Sequence, residues 1–300
     1  MFNPQLDRRG ELLHLLDTEG MPRRLLERLL EAADAPPAPL SGPAVGVRVH
    51  LCLPPAADAL RAAYAGAARD LGLAAKPLDA SAGLARAASA LPPGILVLRH
   101  ASSGAADCVR RYAAPGLRVL NAGDGAHADP LPALALARAL RRRRPELFNL
   151  TVALVGDLRH SAVGRSLAHA LTTLGVPELR AAGPGTLLPE GAAQLGVRVC
   201  PDRGSALAGA DAVVALPLDI ERVNGAWLPS AREYAHFWGL SAGMLRQAAP
   251  GALLLPAGPL TPGLEVEADA AAALPLLHEE IARDEQALRR AALGLLAEAA

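Results

Sequence analysis

The sequence predicts an α/β protein built from two doubly wound parallel sheets, and three observations carry that prediction. Short apolar runs alternate with Ala- and Leu-rich stretches of helical spacing along nearly the whole chain. Strands that alternate with helices form parallel sheets covered on both faces. The rhythm begins again after residues 141–149, and 300 residues, half of them hydrophobic, can fill two ordinary cores.

Taken in order, residues 21–34 place Leu25, Leu26, Leu29, Leu30 and Ala33 at helical spacing, with Pro22 at a first-turn position. Asp34 to Pro43 is rich in Pro and Ala and reads as a connector. Residues 45–53 read as a strand and 56–71 as an Ala-rich helix. Residues 95–98 are a strand and 104–112 a helix. Residues 117–120 are a strand ending at Asn121-Ala-Gly-Asp-Gly125. Residues 131–144 form a helix whose four closing arginines suit the negative end of its dipole. The second block opens with a strand at 150–155, a turn at Gly156-Asp157 and a helix at about 162–174. Strands follow at 179–182, 197–200, 212–215 and 253–255, and a long helix at about 277–298 closes the chain. The expected domains are residues 1–145 and 146–300, with the final helix packing back on the first domain.

Composition excludes several function classes. Thirty basic and thirty acidic side chains give no net charge, so nothing global favours nucleic acid or a membrane surface. Lys76 is the only lysine, which leaves almost no catalytic amine. Cys52, Cys108 and Cys200 are far apart and make neither a disulfide framework nor a zinc site. Met1 to Arg9 has no apolar signal core, and no apolar run reaches membrane-spanning length. The expectation is a soluble cytoplasmic protein.

Ligands of open parallel sheets sit beyond the C-terminal ends of the strands. Four such tips carry polar residues: Arg99-His100, Asn121 to Asp129, Gly156 to Ser166, and Pro256 to Gly263. The run at 154–164 is a strand, a glycine turn and a helix start, but not G-x-G-x-x-G. Arg99 can hold an anion by charge-assisted hydrogen bonds or form a structural ion pair. Asp124, His127 and Asp129 are too loosely spaced to argue for a metal. His100, His127 and His160 read as inherited structural residues. Spacing alone stops at a two-domain α/β protein of unknown ligand.

A series of strings goes further. They are Asn3-Pro-Gln-Leu6 with Gly10-Glu-Leu-Leu-His-Leu-Leu16, Leu98-Arg-His-Ala-Ser-Ser-Gly-Ala105 and Val119-Leu-Asn-Ala-Gly-Asp-Gly125. Val155-Gly-Asp-Leu-Arg-His-Ser161, Ala170-Leu-Thr-Thr-Leu-Gly-Val-Pro177, Leu228-Pro-Ser-Ala-Arg-Glu-Tyr234 and Gly258-Pro259 with Gly263-Leu-Glu-Val266 follow. In order and over nearly the whole chain, they resemble bacterial aspartate carbamoyltransferases. The resemblance implies two α/β domains of the aspartate/ornithine carbamoyltransferase type, one for carbamoyl phosphate and one for aspartate. It also implies trimers, with active sites between subunits. The family moves a carbamoyl group from carbamoyl phosphate to an amine by positioning and cationic stabilisation, and so the resemblance implies no metal and no organic cofactor at the site.

The departures from that family fall at the ligand contacts. Its phosphate loop, Ser-Thr-Arg-Thr-Arg, corresponds to Ala57, Asp58, Ala59, Leu60 and Arg61. The loop that brings a Ser and a Lys to the neighbouring subunit is missing between Asp79 and Gly94. His-Pro-Thr-Gln becomes Asp129, Pro130, Leu131 and Pro132. The first arginine of His-Ser-Arg-Val-Ala-Arg-Ser becomes Ala162. Leu-Arg-Leu-Gln becomes Leu216, Pro217, Leu218 and Asp219. Among the matched contact positions, Arg99, Gly258 and Pro259 are retained. A hydrogen bond to a charged group contributes about 1.5–3 kcal/mol, so losing three removes roughly 5–9 kcal/mol if they add.

The first expectation is therefore a catalytically inactive structural or regulatory subunit. It would form a homotrimer or a hetero-oligomer with an active paralogue or a dihydroorotase-like enzyme. The alternatives are an active carbamoyltransferase using aspartate or another amine, and a small-ligand binding protein with a remodelled cleft.

Overall fold

The computed structural model describes residues 3–81, 83–219, 223, 228, 230–270 and 273–299. Pro229, within one of the family-like strings, lies outside them. The chain divides into two compact units, Met1–Leu134 with Arg283–Ala300, and Ala135–Ala282.

The first unit begins with α1 (Arg23–Ala32), which buries Leu25, Leu26, Leu29 and Leu30 as one stripe. Pro22 is its N-cap, one residue ahead of the first turn. Then come β1 (Arg48–Cys52), α2 (Asp58–Asp70), β2 (Ala74–Pro77), α3 (Leu84–Ala90), β3 (Gly94–His100), α4 (Ala105–Arg110) and β4 (Leu117–Asp124). The sheet order is β2-β1-β3-β4, all parallel. The chain winds outward to β2 and returns beyond β1 to β3, so the topological switch lies between β1 and β3. One core cluster joins Leu96, Leu98, Leu117 and Val119 of the sheet to Ala88, Ala106 and Val109 of the helices.

The second unit has α5 (Pro130–Arg143) leading into β5 (Thr151–Gly156), α6 (Ala162–Leu174), β6 (Glu178–Ala182), β7 (Val197–Val199), α7 (Arg203–Leu207), β8 (Ala212–Leu216), α8 (Ala231–Trp238), α9 (Ala242–Leu245) and β9 (Leu253–Pro256). The unit division falls within α5, and again within α10 (His278–Glu298). The sheet order is β7-β6-β5-β8-β9, again all parallel, with its switch between β5 and β8. The two parallel sheets are the α/β architecture expected. No helix of the described residues is long and apolar enough to cross a membrane.

Several details differ from the sequence reading. β4 continues to Asp124, because Asn121 is buried and its amide donates to Leu16 O (2.8 Å) and Asp124 Oδ1 (3.1 Å). β2 is an unexpected edge strand; Ala74-Ala-Lys-Pro77 lacks β-branched residues, and its proline is tolerated at an edge. The stretch from Asp79 to Gly94, for which no element was expected, contains α3.

Candidate functional site

Each unit presents sequence-predicted site residues at the C-terminal end of its sheet, beside the switch point. In the first unit, the loop after β1 leads into α2 and β3 ends at Arg99-His100. Ala57 is the N-cap of α2 and offers no side-chain cap, since it has no hydroxyl. Asp58 opens the helix, where a carboxylate suits the positive end of the dipole. Its carboxylate accepts from Arg61 Nη1, while Arg61 Nη2 donates to Pro54 O (2.9 Å). Ala59 is exposed and Leu60 half-buried; neither carries a donor.

Arg99 is half-exposed, yet its guanidinium is engaged from within the chain. Nη1 donates to Ala122 O (2.8 Å) and to Asp129 Oδ2 (3.3 Å). Gly123 makes room for the pair: at φ +110°, a methyl group there would lie 2.8 Å from Arg99 Nη1 and 2.9 Å from Asp129 Oδ2. Asp129 itself is buried, directly ahead of α5. Burial pushes its carboxyl up to about 6, against the lowering effect of Arg99. Pro130 and Pro132 remove two of the first backbone N–H groups of α5, so this helix start is a poor anion cradle.

Behind the pair lies a polar layer that the sequence reading missed. Tyr64 of α2 is buried, which raises its phenol above the usual range. The Arg289 guanidinium stacks over its ring at 5.6 Å and pairs with Glu285 at 2.6 Å. Glu285 and Arg289 are four apart on α10, a spacing that could have announced the pair.

In the second unit, Ala162 opens α6 and is half-buried, and the helix is capped by Ser161, which accepts from Gly164 N (2.9 Å). Just before it, buried Asp157 holds the His160 ring, with Nδ1 at 2.8 Å from Oδ2. The same Asp-x-x-His spacing recurs at Asp124 and His127, 3.2 Å apart in the first unit. This repeat was visible in the sequence and carries a structural role: a buried carboxylate fixes the ring.

Pro217 packs against Gly258, where a methyl group would lie 3.0 Å from its Cγ. Buried Glu265 ties the two loops together, accepting from Leu218 N (2.8 Å) and Thr261 N (2.8 Å). Asp219 and Pro259 are exposed. The structure thus joins Arg99 with Asp129, Asp58 with Arg61, and Pro217 with Gly258. Among the described residues, no group of three or more His, Cys, Asp or Glu is placed to hold a metal ion.

No protein-family model matches the chain. Solved structures similar to it include ornithine carbamoyltransferase from Pyrococcus furiosus, at 18% identity and TM-score 0.80 over 96% of this chain and 97% of that one. Ornithine carbamoyltransferase from Gloeobacter violaceus is 20% identical, with TM-score 0.78 over 95% and 99%. Aspartate transcarbamoylase from Trypanosoma cruzi, in complex with N-(phosphonacetyl)-L-aspartic acid, is 18% identical, with TM-score 0.76 over 96% and 97%. At such identities the likeness establishes architecture: the chain has the fold of the ornithine and aspartate carbamoyltransferases.

Proposed function

We propose that this chain is a degenerate aspartate carbamoyltransferase homologue that no longer transfers carbamoyl groups and acts as a structural or regulatory subunit in pyrimidine biosynthesis. The observation that carries the reading is the engagement of both arginines at the first switch point. Arg61 is held by Asp58, and Arg99 by buried Asp129. An incoming phosphate would have to displace the buried Asp129 carboxylate from Arg99, while Asp58, solvated and easily exchanged, adds a like charge beside Arg61. One like charge about 4 Å from an anion costs around 4 kcal/mol at an effective dielectric of 20.

The second substrate loses its contacts independently. Ala162 and Pro217 stand where the family places arginines for the aspartate carboxylates, and neither bears a donor side chain. In this reading the protein is cytoplasmic. It forms a homotrimer, or a hetero-oligomer with an active paralogue or a dihydroorotase-like enzyme. Product formation from carbamoyl phosphate with aspartate, and separately with ornithine, is the test. No carbamoylated product, together with co-purification of a pyrimidine-pathway enzyme, is expected. Turnover that disappears in Arg99→Ala would instead establish an active carbamoyltransferase.

A further inference from the structure

We propose that Asp129 is a built-in occupant of the anion site at the end of β3, a latch that keeps Arg99 from external oxyanions. The inference rests on the non-catalytic reading above and adds to it a condition under which the site opens.

The geometry is that of an internal ligand. Arg99 reaches the end of the sheet with 45% of its side chain exposed, whereas the Asp129 side chain is only 10% exposed. The cation is therefore accessible, and the anion that answers it is supplied from beneath. The second acceptor, Ala122 O, fixes the guanidinium and carries no full charge to compete with an incoming anion. Asp58 does not make a comparable latch, because at 87% exposure it is solvated and its pair with Arg61 is easily exchanged.

Groups from three elements face Asp129: Arg99 from β3, Tyr64 from α2, and Glu285 with Arg289 from α10. Arg289 is already paired with Glu285, and Arg99 makes an ion pair with Asp129. Burial and the Glu285 charge both favour the neutral acid, so the carboxyl takes up its proton at about pH 6. Once neutral, Asp129 no longer balances the guanidinium. The exposed head of Arg99 then accepts an oxyanion of the carboxylate, phosphate or sulfate class by charge-assisted hydrogen bonds.

Sulfate is the suitable probe, because it remains a dianion from pH 5 to pH 8. It would be titrated calorimetrically into the full chain at both pH values and constant ionic strength. Wild type is expected to bind about tenfold more tightly at pH 5 than at pH 8. Asp129→Asn should bind at both, with the pH dependence gone, and Arg99→Gln at neither. Equal wild-type affinity at the two pH values, or undiminished binding by Arg99→Gln, would overturn the latch. Should Asp129→Asn not fold, carboxyl-carbon NMR of wild type decides: sulfate is expected to move the Asp129 midpoint upward, and an unmoved midpoint refutes the proposal. Tight capture of carbamoyl phosphate by wild type at pH 8 would instead refute the non-catalytic reading.

Discussion

At the scale of single residues, Asp129 titrates against the usual direction for a carboxylate with a basic partner. Its folded value is raised from 3.8 to about 6, because burial outweighs Arg99. Between those values the folded chain binds a proton that the unfolded chain has released, so this group lowers stability as the pH rises from 4 to 6. Above pH 6 the cost is constant, at about 3 kcal/mol for a shift of some two units. Asp129→Asn is therefore expected to stabilise the protein by up to that amount at pH 8 and scarcely at pH 4, measured by urea unfolding. His14 works in the opposite sense. Burial, with Arg118 nearby, lowers its imidazole to about 4, and neutral Nδ1 accepts from Val119 N (3.0 Å). Below pH 6.5 the unfolded chain takes a proton that folded His14 refuses, so stability falls as the pH drops toward 4. In Asp129→Asn, where the opposing titration is gone, Tm should fall through that window; a flat profile would contradict buried, neutral His14. Gly123→Ala introduces a methyl group against both members of the Arg99–Asp129 pair at a φ that L-residues rarely adopt. A loss of about 1–3 kcal/mol in unfolding free energy is expected.

At the scale of elements, α6 is the best-specified helix near the site. Ser161 caps its start, and Gly175 ends it at φ +96°. Ser161→Ala should cost about 1 kcal/mol in urea unfolding, whereas an unchanged midpoint would mean that water replaces the cap. These same signals are why the expected helix at 162–174 coincides with the observed one: a capping serine, an apolar stripe and a terminal glycine agree along the chain. β5 and β8 were legible because their apolar runs lie at the buried centre of a parallel sheet, and β9, at its edge, because its leucines form an equally buried apolar run. β2 was not, since an exposed Ala-Ala-Lys-Pro edge carries no such run. α7 and α9 span five and four residues, too few to establish a helical period. The extension of β4 depends on Asn121 bonding to residues about a hundred positions earlier, which no local pattern discloses.

At the scale of the whole molecule, the sequence located the switch-point loops and, on the proposed reading, marked the side chains that depart from the family there. It did not disclose what the replacements do. Asp129 read only as a charge opposed to a phosphate, but the structure gives it a partner thirty residues away, across the sheet end. Asp58 and Arg61, three apart on one helix, were the legible half of the same arrangement. A carbamoyltransferase fold whose exposed cations are answered by its own carboxylates should be stable without substrate and indifferent to it. The direct measurement is isothermal titration of the purified chain, at pH 8, with carbamoyl phosphate and then with a bisubstrate phosphonate. No saturable heat is predicted with either ligand. Saturable binding of carbamoyl phosphate that is lost in Arg99→Ala would contradict the account.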